Sequence, residues 1–227
     1  MDGRTFLQFV RPLLESGDPD QLVRAIRQRM TVAHLCSLLL ETDVDVRRAA
    51  AMVLGYVGDL ECVPCLVRAL QDADEQVNQL AENSLLLLWF QAGTDEAGCA
   101  FRRGVRHFAC EQYREAIKAF ERAIAIDPYF AEAHNQCALA HYFLEQWRDS
   151  ARHYQAAIRI APAHFPAIAG LGHCYLEVGD MKRAVQCFKR ALTINPRMSS
   201  LTHVVERLEA RLARRNDESG IFESMRV

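Results

Sequence analysis

Apolar side chains recur along this chain at helical steps of three and four, broken by short polar stretches rich in Asp, Gly and Pro. Residues 5–30 predict a degenerate pair of helices, split by the turn Ser16-Gly17-Asp18-Pro19. Near the other end, Leu201, Val204, Val205, Leu208 and Leu212 share one helical stripe and predict an amphipathic helix over 199–215. The tail from Asn216 is expected to be loose. The pattern predicts an all-α fold.

Between these ends the pattern repeats. Pro128, Pro162 and Pro196 follow one another at a step of 34. Five residues before them stand Ala123, Ala157 and Ala191; eight before, Phe120, Tyr154 and Phe188. Twelve before stand Ala116, Ser150 and Ala184; twenty-one before, His107, His141 and Tyr175; twenty-four before, Gly104, Ala138 and Gly172. The residue types have physical sense. A small residue midway along each first helix lets the second approach, and a bulky ring fills the space between hairpins. Each proline ends a second helix, since it lacks an N–H and clashes with the preceding turn. This pattern resembles the tetratricopeptide repeat (TPR), a 34-residue helical hairpin. Three copies are expected over 97–130, 131–164 and 165–198, with the 199–215 helix capping the array. One departure is that Ala100, His134 and Ile168 stand where a large aromatic is expected.

The first part repeats with a different step. Leu35, Leu39, Asp43, Val46, Ala50 and Leu54 match Leu66, Leu70, Asp74, Val77, Ala81 and Leu85, always 31 residues on. An apolar helix, an Asp-rich turn and Val-x-x-x-Ala-x-x-x-Leu resemble the short HEAT-like repeats of the phycobilisome-lyase type. The turn Asp residues are placed to cap free N–H groups at helix starts. The second copy departs by carrying Asn78 and Gln79 for Arg47 and Arg48, and Leu86 for Gly55. The resulting expectation is an α-α superhelix: a HEAT-like region over 1–96, then TPR repeats, cap and tail over 97–227. The apolar run Leu85–Trp89 is expected to pack on the first TPR helix, so that the halves stack.

Charge and chemistry narrow the functional reading. Net charge is -2, and half of the 227 residues are apolar. Residues 1–96 hold 8 Arg, no Lys and 15 acidic residues, a net of -7; the rest carry +5. An acidic first half argues against nucleic acid as a partner. The longest apolar run, Leu85 to Phe90, is too short to span a membrane, and the first residues lack the basic, apolar and small-residue regions of a signal peptide, so none is expected. A cytoplasmic protein is expected, with its eight cysteines as free thiols. Cys62-Val63-Pro64-Cys65 has redox or half-zinc spacing but lacks an α/β context or a second ligand pair. His107 and His141 fill a repeat-framework slot, and no His-Glu pair of the metal-hydroxylase kind occurs. No phosphate loop, dinucleotide fingerprint or nucleophile elbow is present. No catalytic residue, metal or cofactor is expected.

What the TPR resemblance implies is a groove lined by the first helix of each pair. On it the expected protein-binding residues are Phe101, Val105, Phe108, Asn135, Leu139, Tyr142, His173 and Leu176. TPRs that hold Hsp70 or Hsp90 tails grip a terminal carboxylate with Lys, Asn and Arg. The matching places here hold Phe101, Val105, Gln136, Pro166 and Gly170, so such tails are not the expected ligand. The groove suits instead an apolar or aromatic peptide or helix of another protein. The function expected is thus a non-catalytic scaffold or adaptor; the alternative is a lyase or chromophore-maturation factor related to the HEAT-like lyases. The segment Gly220–Met225 is a candidate cover for the groove.

Overall fold

The computed structural model describes the backbone of residues 1–224 and the side chains through Arg214. Thirteen α-helices, packed pairwise in consecutive hairpins, and one 3-10 turn make up the regular structure among the described residues, with no strand. Contacts divide the chain into Met1–Ala92 and Gly93–Val227.

The first unit opens with α1 (Gly3–Glu15) and α2 (Pro19–Arg29). The turn between them needs Gly17 at φ 68°, a left-handed conformation that costs glycine little. Asp18 then caps α2 by accepting from the Asp20 and Gln21 N–H groups, each at 3.0 Å. Two hairpins follow: α3 (Val32–Leu38) with α4 (Val44–Val57), and α5 (Val63–Ala69) with α6 (Glu75–Gln91). All ten apolar members of the 31-residue register are buried, none more than 6% exposed. The two aspartates of that register cap α4 and α6: Asp43 accepts from Asp45 N–H, and Asp74 from Val77 N–H.

The same register explains the departure at Asn78 and Gln79. Arg47 grips Asp72 with Nε and Nη2 at 2.8 and 3.0 Å. Arg48 grips Asp74 likewise at 2.9 and 2.6 Å. The first hairpin thus holds the turn of the second through paired two-pronged ion pairs. Asn78 instead ties down its own turn, donating to the Ala69 and Asp72 carbonyls at 3.1 and 2.9 Å. Gly55 lets the hairpins approach: a Cβ there would lie 2.6 Å from Ser84 Oγ. Ser84 in turn donates to the Ala51 carbonyl at 2.7 Å.

Cysteine chemistry in this unit differs from the expectation of free thiols. Cys36 and Cys65 form a disulfide, with Cα atoms 5.9 Å apart. They sit at neighbouring positions on α3 and α5, which stand side by side as the first helices of successive hairpins. Cys62, the other half of the CxxC, is a buried free thiol.

The second unit runs α7 (Asp95–Ala109), α8 (Tyr113–Ile126), α9 (Ala131–Phe143), α10 (Trp147–Ile160), α11 (Phe165–Glu177), α12 (Met181–Ile194) and α13 (Ser199–Ser224). Small-against-large packing joins the pairs. A Cβ on Gly104 would lie 2.5 Å from Phe120 Cε1, and one on Gly172 would lie 2.6 Å from Phe188 Cε1. Phe120, Tyr154 and Phe188 are all buried. In the middle pair Ser150 donates to the Ala138 carbonyl at 2.8 Å, so its hydroxyl is satisfied despite full burial. The cap α13 packs on α12 through Leu201, Val205 and Leu208. Its backbone stays helical to Ser224, past Asn216 where a loose tail was expected. The suggested cover, Gly220–Met225, lies outside the residues whose side chains are described. No helix among the described residues is long and apolar enough to cross a membrane.

Candidate functional site

Helices α9 and α11 lie on the same side of the second unit, as first helices of successive hairpins. Between them is a concavity of about 430 Å³. Asn135, Leu139 and Tyr142 line it from α9; Pro166, Ala169, Gly170 and His173 line it from α11. Spacings of three and four put each set on one helical stripe. Tyr154 from α10 and Met198 complete the wall. Gly170 belongs here for a packing reason, because a Cβ would run into the Tyr154 ring.

The lining is mostly apolar, with three polar points, Tyr142, His173 and Asn135. Tyr142 donates its hydroxyl to Glu177 Oε1 at 2.9 Å, and its ring meets Trp147 edge-on at 4.8 Å. Burial first, then that carboxylate, pushes its phenol up to about 12. The His173 ring packs edge-on against Phe188 at 4.9 Å, and burial holds it below the ordinary imidazole range. Asn135 Nδ2 donates to both Glu132 oxygens, at 3.2 and 3.3 Å. Glu132 is 5% exposed and also accepts from Gln136 at 2.6 Å. Its remaining partner is His164 Nε2 at 2.8 Å, and His164 Nδ1 accepts from Ala167 N–H at the start of α11. One ring therefore caps a helix and satisfies a buried carboxylate.

Four of the eight expected groove residues thus meet at one place: Asn135, Leu139, Tyr142 and His173. The other four stand elsewhere. Phe101 was expected to line an open groove, and this is corrected: it is 1% exposed. Its ring lies 5.6 Å from Phe120 and 4.8 Å from Phe130, centroid to centroid, within the core of the first two repeats. Val105 packs on that same core. Phe108 is half-buried and meets the rings of Tyr113 and Phe143 at 5.3 and 5.6 Å. Leu176 is half-buried on α11 and does not line the concavity.

A second group of side chains converges between α9 and α10. His134, Cys137 and His141 descend one stripe of α9 and face His153 on α10. Cys137 is fully buried; His141 and His153 are 8% and 9% exposed. Burial first, and the neighbouring imidazoles next, hold His153 down to about 4, while burial pushes the Cys137 thiol up to about 12. One sulfur and the imidazole nitrogens of two histidines, converging among buried residues, are the donor types of a metal ligand set. The sequence signal was the i, i+4 pair Cys137–His141; what the chain order hides is that α10 brings His153 to it.

Three family descriptions match the chain. HEAT repeats match residues 32–97, TPR repeat matches 104–144, and tetratricopeptide repeat matches 166–198. A search of curated proteins found no match. Among solved structures, the Sgt2 TPR domain from Aspergillus fumigatus is 20% identical, with TM-score 0.52 over 56% of this chain and 85% of that one. The first TPR of Spaghetti (RPAP3), bound to the HSP90 peptide SRMEEVD, is 20% identical, with TM-score 0.50 over 52% and 93%. The first TPR domain of human RPAP3 is 19% identical, with TM-score 0.50 over 53% and 95%. At these identities the likeness speaks for the fold. The chain carries tetratricopeptide repeats preceded by N-terminal HEAT repeats.

Proposed function

We propose that this chain is a non-catalytic scaffold that holds an apolar or aromatic segment of another protein between α9 and α11. The observation that carries the reading is the concavity lined by Asn135, Leu139, Tyr142 and His173. It offers apolar surface with a few fixed polar points, which is how peptide grooves combine affinity with orientation. Similar folds have been solved with a bound peptide: the Spaghetti (RPAP3) domain holds SRMEEVD of HSP90. The expected ligand here is of another kind. A terminal carboxylate needs cations or free amide donors, but Asn135 Nδ2 is committed to Glu132. Gln136 is committed to the same carboxylate, and Pro166 and Gly170 offer no side-chain donor.

The test is photo-crosslinking in native cell extract. A photoreactive residue is placed at Leu139, and in a separate protein at the exposed Arg152 on α10. A partner crosslinked from Leu139 and not from Arg152 is the expected result. A synthetic peptide of the crosslinked segment should then bind the wild type at least tenfold more tightly than Tyr142→Ala/Leu139→Ala. Crosslinking only from Arg152, or equal binding by the variant, would refute the groove.

A further inference from the structure

We propose that Cys137, His141 and His153 form a binding site for a transition-metal ion of the zinc class inside the second TPR repeat. One donor atom from each lies within 4.8 Å of the others, and all three residues are buried. Cys137 Sγ and His153 Nε2 are already 3.7 Å apart. Zinc takes sulfur at about 2.3 Å and imidazole nitrogen at about 2.0 Å, so its tetrahedral ligands stand about 3.5 Å from one another. Closing this trio onto a metal requires movements of about 1 Å, within the reach of side-chain torsions.

Proton placement favours the same reading. Gln146 Oε1 lies 2.6 Å from His141 Nδ1. A carbonyl oxygen only accepts, so Nδ1 carries the proton and Nε2 carries the lone pair. That Nε2 is buried and has no hydrogen-bond partner, whereas buried ring nitrogens are ordinarily satisfied. On the far side of His153, Nδ1 lies 3.4 Å from His134 Nδ1. With His153 the donor in that pair, its Nε2 lone pair faces Cys137. Outer partners that hold the second ring nitrogen in this way are the usual accompaniment of histidine ligands. Gln146 and His134 are then positioning residues rather than ligands, and a small fourth ligand such as water would complete the tetrahedron.

The repeats supply an internal control against the reading that these are ordinary framework residues. The His–Gln pair recurs in the first repeat, where His107 Nδ1 lies 2.7 Å from Gln112 Oε1. The other two donors do not recur. Thirty-four residues before Cys137 and His153 stand Arg103 and Ala119; thirty-four after stand Leu171 and Cys187. The ligand set exists only in the middle copy. Metal choice follows from donor type: thiolate with imidazole suits zinc and its substitutes and disfavours magnesium or calcium. Binding breaks the Cys137 S–H bond, forms a metal–sulfur bond and releases one proton to solvent, with no electron transferred.

The test titrates cobalt(II), a spectroscopic stand-in for zinc, into the chelator-stripped full chain with its Cys36–Cys65 disulfide left intact. Exposed Cys99 and Cys110 are replaced by Ser to remove competing thiols. The expected result is one equivalent bound, with a sulfur-to-cobalt charge-transfer band and tetrahedral visible bands, both displaced by zinc. Cys137→Ala and His153→Gln should each abolish the charge-transfer band, while His107→Gln leaves it unchanged. Gln146→Leu, which touches no donor atom, should keep the band and weaken affinity by about 10–100-fold. Circular dichroism confirms that each variant is folded; should Cys137→Ala fail to fold, the His153 and Gln146 variants decide. No band in the folded parent, or a band that survives His153→Gln, overturns the site.

Discussion

Phe101 and Asp74 illustrate how far a single side chain's surroundings set its role. Phe101 is enclosed by Phe120 and Phe130, so removing its ring opens a cavity rather than baring a groove. Phe101→Ala and Phe120→Ala should each cost about 3–5 kcal/mol in urea or thermal unfolding. A much smaller loss at Phe101 would return it to the groove wall. Asp74 carries a pH signature. The Arg48 guanidinium, with help from backbone N–H groups, holds its carboxyl down to about 2 from the ordinary 3.8. Its folded value lies below its unfolded one, so its contribution is complete above 3.8 and is lost as pH falls through about 2. The stability difference between wild type and Asp74→Asn should therefore stay level at neutral pH and shrink across that acid window. A difference that does not change down to pH 2 would mean that the ion pair is not formed.

At the scale of elements, the 34-residue register also governs backbone conformation. Glu111, Glu145 and Gly179 occupy one position, just after α7, α9 and α11, with φ of 59°, 57° and 80°. The left-handed conformation there ends each first helix and turns the chain into the second. Only the third copy uses glycine; the two glutamates bear the steric cost of a Cβ in that region. Glu111→Gly and Glu145→Gly should each raise stability by about 0.5–1 kcal/mol, read as a rise in melting temperature, with no change in helix content. A loss of stability would show that the glutamate side chains make a contact worth more than the strain. Much at this scale was legible in the chain. The offsets behind Pro128, Pro162 and Pro196 located the hairpins, and the Gly104–Phe120 and Gly172–Phe188 contacts are what those offsets imply. The face of Phe101 was not legible, because helical period says which stripe a residue occupies but not what lies over it. Phe130, from the turn before α9, is what covers it.

For the molecule as a whole, two kinds of repeat store their information differently. In the first unit, neighbouring hairpins are joined by charge as well as by apolar packing, through Arg47 with Asp72 and Arg48 with Asp74. In the second unit, rings set against Gly104 and Gly172 join the two helices of a hairpin, and Tyr154 set against Gly170 joins the second hairpin to the third. The disulfide between Cys36 and Cys65 and the Cys137–His141–His153 cluster escaped the sequence for one shared reason. Each brings together residues from different helices, where the pairing depends on which stripes face one another, and neither repeats from copy to copy. Internal repetition reveals what every copy has in common and conceals what one copy has acquired alone.

The arginine pairs have a consequence for extending the array. Each hairpin that carries them can receive the acidic turn of a successor, whereas the second hairpin has Asn78 and Gln79 in their place and offers no such socket. The HEAT register is thus directional, with a donor end and a stop. A designer wishing to lengthen it would duplicate the 31-residue stretch bearing Arg47 and Arg48, inserting the copy ahead of the second hairpin. Duplicating the stretch around Asn78 would leave the new joint without its electrostatic latch.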